Sequence, residues 1–385
     1  FTNTSGDTDY VGTAYTFGVK PTFTSLYAWG HNEYGLLGLN QAHDANVSSP
    51  TQIPGENWQN MGIGDEFTAA TKSDGTMWAW GENAYGHLGQ NDTVHKSSPV
   101  QVGSDTTWTQ AMSGGNFCLS LKSDNTLWVW GQNHQGVLGQ NSPDNSHVSS
   151  PVQVPGTWST VMGGANTISG VKTNGTMWVW GHNNDGKLGL SQPQGFACSS
   201  PTQLPGTTWG TTRGKLSWTD HGTAAIKTDG TLWTWGSTGV GALGLNSEGN
   251  NAKRSSPTQV PGTTWNIIAS NSYASIATRT DGTLWAWGNN THGQLAQNNT
   301  VQYSSPVQVG SGTDWDNILE VERGFLATKT DGTLWSWGYN EYGGLGQNTS
   351  TETSSPTQIP GTTWNLEDIG GNGNKRNATV AKKVE

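Results

Sequence analysis

Residues 280–288 read "TDGTLWAWG", and the same nine positions return along the chain with light variation. The sister stretches are "TFTSLYAWG" (22–30), "SDGTMWAWG" (73–81), "SDNTLWVWG" (123–131), "TNGTMWVWG" (173–181), "TDGTLWTWG" (228–236) and "TDGTLWSWG" (330–338). The seven copies place their second tryptophan at Trp29, Trp80, Trp130, Trp180, Trp235, Trp287 and Trp337, with gaps of 51, 50, 50, 55, 52 and 50 residues. A fixed period near 50 residues decides the architecture before local propensity does. Each copy continues into N-x-x-G-x-L-G-x-N, as in "NEYGLLGLN" (32–40), then a variable stretch, then "SSPTQVPGTTW" (255–265) or a near relative. That linker contributes Trp58, Trp108, Trp158, Trp209, Trp265, Trp315 and Trp364. Pairs and linkers together hold 20 of the 21 tryptophans, and only Trp218 stands off the pattern.

Within one unit, "NIIASN" (266–271) and "YASIATRT" (273–280) are short β-type runs, followed by Asp281-Gly282 and "TLWAWG". Asp-Gly between such runs predicts a hairpin with both turn residues at positive φ. Asn174-Gly175 and Asp124-Asn125 fill the same slot elsewhere. Alternate strand residues share a face, so both tryptophans of a pair point the same way. The proline of "SSP" suits the start of an outer strand, where no ladder donor is lost. The reading is about four short strands per unit and no helical period.

Seven four-stranded units define an all-β fold, a seven-bladed β-propeller. A solenoid would need distinct capping repeats at its ends. The ends here suggest closure instead. Residues 364–383 supply the first strands of a blade and "SLYAWG" (25–30) leads into the rest. One blade shared between the N- and C-terminal segments then closes the ring and leaves no open edge. "AYTFGVK" (14–20) either competes with "ATVAKK" (378–383) for a strand position or lies outside the ring. We assign residues 1–15 to an N-terminal tail and 16–385 to a single propeller domain.

Composition agrees: 54 glycines, 12% charged and 10% aromatic residues fit a turn-rich β-protein rather than a disordered chain. The net charge of −10 argues against a broad nucleic-acid footprint. Cys118 and Cys198 imply neither a disulfide nor a metal site by their spacing. No apolar run approaches a membrane span. The first residue is Phe1, so a processed or incomplete N-terminus is expected.

Sheets packed face to face in a propeller need large side chains between them. A buried tryptophan covers roughly 150–250 Å², an upper bound on the order of 4–6 kcal/mol each. Trp29, Trp78, Trp80, Trp128, Trp130, Trp178, Trp180, Trp233, Trp235, Trp285, Trp287, Trp335 and Trp337 are therefore read as inter-blade packing rather than as a ligand platform.

The stretch "TDGTLWAWGNNTHGQLAQN" (280–298) and its sisters resemble the regulator-of-chromosome-condensation repeat family. The resemblance covers nearly the whole chain from about residue 14, with local departures at Ala296 and in "STGVGALG" (237–244). It implies the propeller fold. The Trp- and Asn-rich flavour, with "SSPVQV" linkers, looks most like members encoded by marine bacteriophages. That likeness implies a virion component or a host-contact protein. The family's nuclear guanine-nucleotide exchange factor works through a wedge inserted from one blade and a basic tail, and neither is recognisable here. The Gly-Trp-Arg-His-Thr motif of the plant ultraviolet photoreceptors is missing as well.

No nucleophile elbow, phosphate-binding loop or zinc-protease motif occurs. No enzyme activity, cofactor or metal is therefore expected, and "NNDGKLG" (183–189) lacks the distal glutamate of a calcium loop. Histidines are scattered along the chain. Lys72, Lys122, Lys172, Lys227, Arg279 and Lys329 each lie eight residues before the second tryptophan, which predicts a ring of cations at one strand position. Their stems lie over aromatic faces, or the ring binds anions.

Breaks in the repeat carry the functional signal. From linker tryptophan to first motif tryptophan the spacing is 20 residues in five units and 24 in "WGTTRGKLSWTDHGTAAIKTDGTLW" (209–233). The extra residues bring Arg213, Lys215, Trp218, Asp220 and His221 together as a candidate recognition loop. The variable stretches 41–47, 142–148, 191–198 and 247–254 are the second such set. Three readings stand. The first is a structural or binding propeller on a virion, joined to capsid or tail proteins through residues 1–15. The second is a glycan-binding propeller using Trp218 or the variable loops against a host surface. The third is a cytoplasmic regulator of the exchange-factor type.

Overall fold

The computed structural model describes residues 24–41, 45–142, 146–193, 195–218, 221–237, 239–247, 253–367, 369–370 and 378–384. The tail 1–15, the stretch 14–20 and Asp220 lie outside the described residues. The strands form seven antiparallel sheets, which we call blades. Blade one holds Trp58–Ile63, Phe67–Lys72, Met77–Gly81 and Lys96–Gln101, from inner to outer strand. Blades two to six repeat this order, beginning at Trp108, Trp158, Leu216, Trp265 and Trp315. In the seventh sheet, Trp364–Asn365 and Ala378–Val384 come from one end of the chain, and Thr24–Gly30 and Val47–Gln52 from the other. Thr24–Gly30 pairs along its full length with Ala378–Val384. The shared blade expected from the chain ends is therefore present. One feature was not expected: Ile369–Gly370 leaves the closing blade and pairs in parallel with Met61 and Gly62 of blade one.

The nine-residue unit now has a local explanation. The Asp281 carboxylate accepts from the Thr283 backbone N–H (3.0 Å) and hydroxyl (2.6 Å). The Thr283 hydroxyl in turn accepts the Trp285 indole N–H at 2.9 Å. The same Asp–Thr–Trp relay recurs from Asp74, Asp124, Asp229 and Asp331, and Asn174 takes the acid's place in blade three. The turn itself differs from expectation. Gly282 N–H bonds to the Arg279 carbonyl, and of Asp281 and Gly282 only the glycine has a positive φ, +77°. This is a three-residue connection that ends in a left-handed glycine, not the two-residue turn with two positive φ values.

The seven second-position indoles are fully buried and link the blades in a circuit. Trp80 donates to the Leu36 carbonyl (3.0 Å), Trp130 to His87 (2.9 Å), Trp180 to Val137 (2.9 Å), Trp235 to Lys187 (2.8 Å) and Trp287 to Ala242 (3.0 Å). Trp337 donates to Gln294 (3.0 Å), and Trp29 closes the ring on Gly344 (2.9 Å). Each acceptor lies in the preceding blade's N-x-x-G-x-L-G loop. Gly244 shows why that loop needs glycine: a Cβ there would stand 2.9 Å from Trp287 Nε1. The motif asparagine pins the same loop. Asn290 Oδ1, for example, accepts the Leu295 N–H at 2.9 Å.

First-position indoles behave differently, and this corrects the uniform inter-blade reading. Trp78, Trp128, Trp178, Trp233, Trp285 and Trp335 are only partly buried, at the blade ends near the Asp-Gly turns. Their N–H is satisfied inside the hairpin rather than across a blade boundary. The linker tryptophan bridges the two classes, since Trp265 makes edge contacts with both Trp285 (6.2 Å) and Trp287 (6.0 Å). Outer strands carry the "SSP" prolines at a break in register, between Ala286 and Gly288 in blade five, so the ladder loses no donor there.

Candidate binding site at the channel mouth

Strand order gives the ring two faces. The turn face carries the Asp-Gly turns and the linkers, and the loop face carries the N-x-x-G-x-L-G loops. Inner strands of successive blades adjoin one another around a central channel.

The segment with four extra residues departs from its sisters inside this channel. In blade four the inner strand is Leu216–Trp218, and Trp209 makes only an isolated bridge to Lys227. Residues 212–215 form a turn, closed by the Lys215 N–H on the Thr212 carbonyl at 3.2 Å. Arg213 crosses to blade one. It donates through Nη1 to Asn60 Oδ1 (2.7 Å) and through Nη2 to the Met61 carbonyl (2.8 Å). Asn60 Oδ1 also accepts the Ala111 N–H of blade two at 3.0 Å. Lys215 donates to the Asn266 carbonyl and to Asn266 Oδ1 (3.1 Å) in blade five. Burial pulls the Lys215 ammonium below its usual range.

The remaining candidates lie elsewhere. Trp218 is 7% exposed, and its ring covers Gly164, where a Cβ would stand 3.3 Å away. His221 is on the loop face, with Nδ1 2.9 Å from Asp185 Oδ2. Lys253 Nζ meets the same carboxylate at 2.7 Å. The structure thus brings Arg213 and Lys215 together, sets Trp218 in the blade wall and puts His221 on the opposite face.

Arg213 and Lys215 line a cavity of about 470 Å³ at the turn-face mouth of the channel, with Gln110, Asn266, Asn317 and Glu367. A second cavity of about 460 Å³ shares Thr211, Thr212, Lys215 and Asn266 with it and runs out between blades four and five to Lys227 and Asp229. Both volumes fall in the range of ligand sites, roughly 300–1,000 Å³.

Glu320, on the inner strand of blade six, is 9% exposed. Burial pushes its carboxyl up to about 8, against the downward pull of a backbone hydrogen bond and the Arg213 charge. A folded-state value above the unfolded 4.5 means that the proton-bound form supports the fold. That contribution is complete below about pH 4.5 and is lost as pH rises to about 8. Glu320→Gln is therefore expected to flatten the fall of Tm across this window and to raise Tm by several degrees at its upper end. Parallel Tm-versus-pH curves for the two proteins would show that Glu320 is ionised in the fold.

The six cations sit in matching aromatic cradles. Lys72 Nζ is 4.6 Å from the ring centres of both Trp58 and Trp78. Lys227 lies 4.8 Å from Trp209 and 4.4 Å from Trp233, and Lys172 lies 5.2 Å from Trp158 and 3.7 Å from Trp178. Arg279 lies 4.5 Å from Trp265 and 4.0 Å from Trp285. In two blades the linker adds a carboxylate to the cation's open side. Asp105 reaches Lys122 at 2.6 Å, and Asp314 reaches Lys329 at 3.1 Å. The Lys122 hydrogen bond, with one from Thr107, lowers the Asp105 carboxyl to about 2.

Sequence reasoning missed a grouping on the other face. The described histidines (His31, His87, His95, His134, His147, His182, His221 and His292) all fall in loop-face segments. Several meet tyrosine rings, as in His292–Tyr339 (4.8 Å) and Tyr85–His147 (5.0 Å). Their places within the 50-residue unit were the available signal. Among the described residues, no group of three or more histidine, cysteine or acidic side chains has the arrangement of a metal site.

This repeat-built ring with a polar channel mouth matches a known class. A family model described as the RCC1-like domain matches residues 11–328, and one for the regulator of chromosome condensation (RCC1) repeat matches 331–365. The chain belongs to the RCC1-like domain family. It is 32% identical over 79 residues to the human "Probable E3 ubiquitin-protein ligase HERC4", which covers 20% of this chain and 8% of that protein. It is 35% identical over 80 residues to the Arabidopsis thaliana "Ultraviolet-B receptor UVR8", covering 20% and 18%. The match thus spans a small part of each relative's length. The structure of Prp20p from Saccharomyces cerevisiae, reported with its binding to Gsp1p and histones, superposes with a TM-score of 0.83 at 19% identity, covering 94% of this chain and 92% of that one. Human WBSCR16 superposes at 0.80 with 19% identity, covering 94% and 98%. These two likenesses concern the fold.

Proposed function

We propose that this propeller is a non-enzymatic binding protein that holds a protein partner against its turn face, with the channel mouth as the contact. One observation carries the reading. The four residues that break the repeat put Arg213 and Lys215 into a cavity lined from five blades. Where the copies agree they build the scaffold; where they differ they shape this cavity, and specificity on rigid scaffolds lies in such segments. The partner we favour is a capsid or tail protein of a virus particle, with residues 1–15 as the attachment segment. The likeness of the Trp- and Asn-rich units to phage-encoded propellers supports that choice, which puts the protein on the virion surface. Deleting residues 1–15 is expected to leave CD and Tm unchanged and to abolish incorporation into the particle. A truncated protein that assembles normally would overturn the attachment.

A regulatory role inside the cell is the second reading. It is favoured by the relatives, since the Prp20p structure was reported with binding to Gsp1p and histones. Acceleration of nucleotide release from a small GTPase would replace the first reading with this one. The glycan reading has less support at Trp218, whose ring faces Gly164 rather than solvent, which leaves it to the variable loops.

A further inference from the structure

We infer that the groove from the channel mouth to the gap between blades four and five binds an acidic peptide segment, with Lys215 and Lys227 receiving its carboxylates and Arg213 setting the positive potential at its inner end. This rests on the proposed protein-binding role and names the chemistry of the partner.

Two joined cavities form the groove. The three cations line them in sequence from the channel outward: Arg213, then Lys215 in both cavities, then Lys227. Lys215 is bound to a backbone carbonyl and an amide oxygen, both neutral acceptors. Burial disfavours its charge. An added carboxylate offsets that desolvation, and a charge-assisted hydrogen bond is roughly twice as strong as a neutral one.

The repeat itself supplies a precedent. Each cradle holds its cation between two indole faces and leaves one side open. In blades two and six the chain fills that side with its own carboxylate, Asp105 on Lys122 and Asp314 on Lys329. In those two blades the slot accepts a carboxylate. In blade four the corresponding linker is Pro205-Gly206-Thr207-Thr208, with no acidic residue. Among the described residues no carboxylate forms an ion pair with Lys227, whose cradle opens onto the groove that Lys215 also lines. The groove's own acids do not fill it. Asp229 accepts from the Thr231 hydroxyl (2.6 Å) and N–H (2.9 Å), and Glu367 lines the other cavity. Carboxylate is the better match than phosphate, because carboxylate is what two of the sister cradles hold. A net charge of −10 makes a locally cationic groove selective by contrast with the rest of the surface.

The test is fluorescence anisotropy with a labelled hepta-glutamate peptide, and hepta-glutamine as the neutral control. The expected results are saturable binding that weakens with salt, and none to the control. Lys215→Gln with Lys227→Gln is expected to weaken binding roughly tenfold or more. Lys215→Arg with Lys227→Arg should retain most of it, and Lys122→Gln should change nothing, because that cradle already holds Asp105. Lys227 packs on two indoles, so Lys215→Gln alone, at unchanged Tm, serves as the variant that keeps the fold and should lose several-fold. Equal binding of the two peptides overturns the inference, as does undiminished binding by the Lys-to-Gln proteins. Tighter binding of inorganic tripolyphosphate at the same residues overturns the assignment to an acidic peptide. A protein that joins its particle through residues 1–15 yet ignores hepta-glutamate would sink this inference and leave the binding role standing.

Discussion

Trp287→Ala is expected to cost about 3–5 kcal/mol of unfolding free energy, and Trp285→Ala about half as much. The two residues are two positions apart in the repeat and chemically identical. Trp287 is fully buried, and its N–H ends on the Ala242 carbonyl of the preceding blade. Its loss opens a cavity between blades and removes the shorter of two hydrogen bonds to the buried Ala242 carbonyl, which keeps only the Ser275 hydroxyl at 3.3 Å; a lost hydrogen bond of this kind adds about 0.5–1.5 kcal/mol. Trp285 is partly exposed and bonds within its hairpin to Thr283. Truncating it removes one wall of the Arg279 cradle but leaves the blade contact intact. Chemical denaturation of the two variants measures both costs. If Trp285→Ala proved the more damaging, the inter-blade role would pass to the first indole.

Removing residues 378–385 is expected to abolish cooperative folding. Seven consecutive residues of Thr24–Gly30 pair with Ala378–Val384, so the deletion strips a whole ladder from the closing blade. Val380 and Ala381, 1% and 0% exposed, leave the core with it. The Thr379 hydroxyl bond to Gly344 O (2.7 Å) and the Lys382 bond to Gln59 O (3.0 Å), which tie the closing blade to its two neighbours, go as well. The cost is on the order of 5 kcal/mol or more, comparable to the whole stability of a typical domain. Calorimetry should show the single transition lost, and small-angle scattering an expanded particle. A truncated protein with a sharp transition and a Tm within a few degrees would mean that the ring does not depend on this strand.

How much of this was legible depends on the range of each interaction. Asp281, Thr283 and Trp285 interact within five residues, so "TDGTLW" announces its hairpin wherever it occurs. The turn type was misjudged because Asp-Gly is compatible with two connections, and only the Arg279–Gly282 hydrogen bond selects between them. The cation at Lys72 and its sisters was visible as a fixed offset. That it stands between two indoles was not, because the second indole comes from the linker and reaches it only across the sheet. The five candidate residues of 213–221 were grouped because they are adjacent in sequence. A strand separates Arg213 and Lys215 from His221 in space: Leu216–Trp218 runs from the turn face towards the loop face, carrying Arg213 and His221 to opposite ends.

The repeat period, the seven blades, the strand count and the closure by both chain ends follow from the sequence alone. Each depends on counting identical local units, and identical units must adopt the same local structure. Which indole of a pair lies between blades, where Arg213 goes and which cations share a groove were decided only by the closed ring. Arg213 meets Asn60 from 153 positions away, a contact that exists because ring closure sets blade four across the channel from blade one. No spacing within a unit encodes that encounter, since the repeat specifies each blade while the ring specifies which blades face one another.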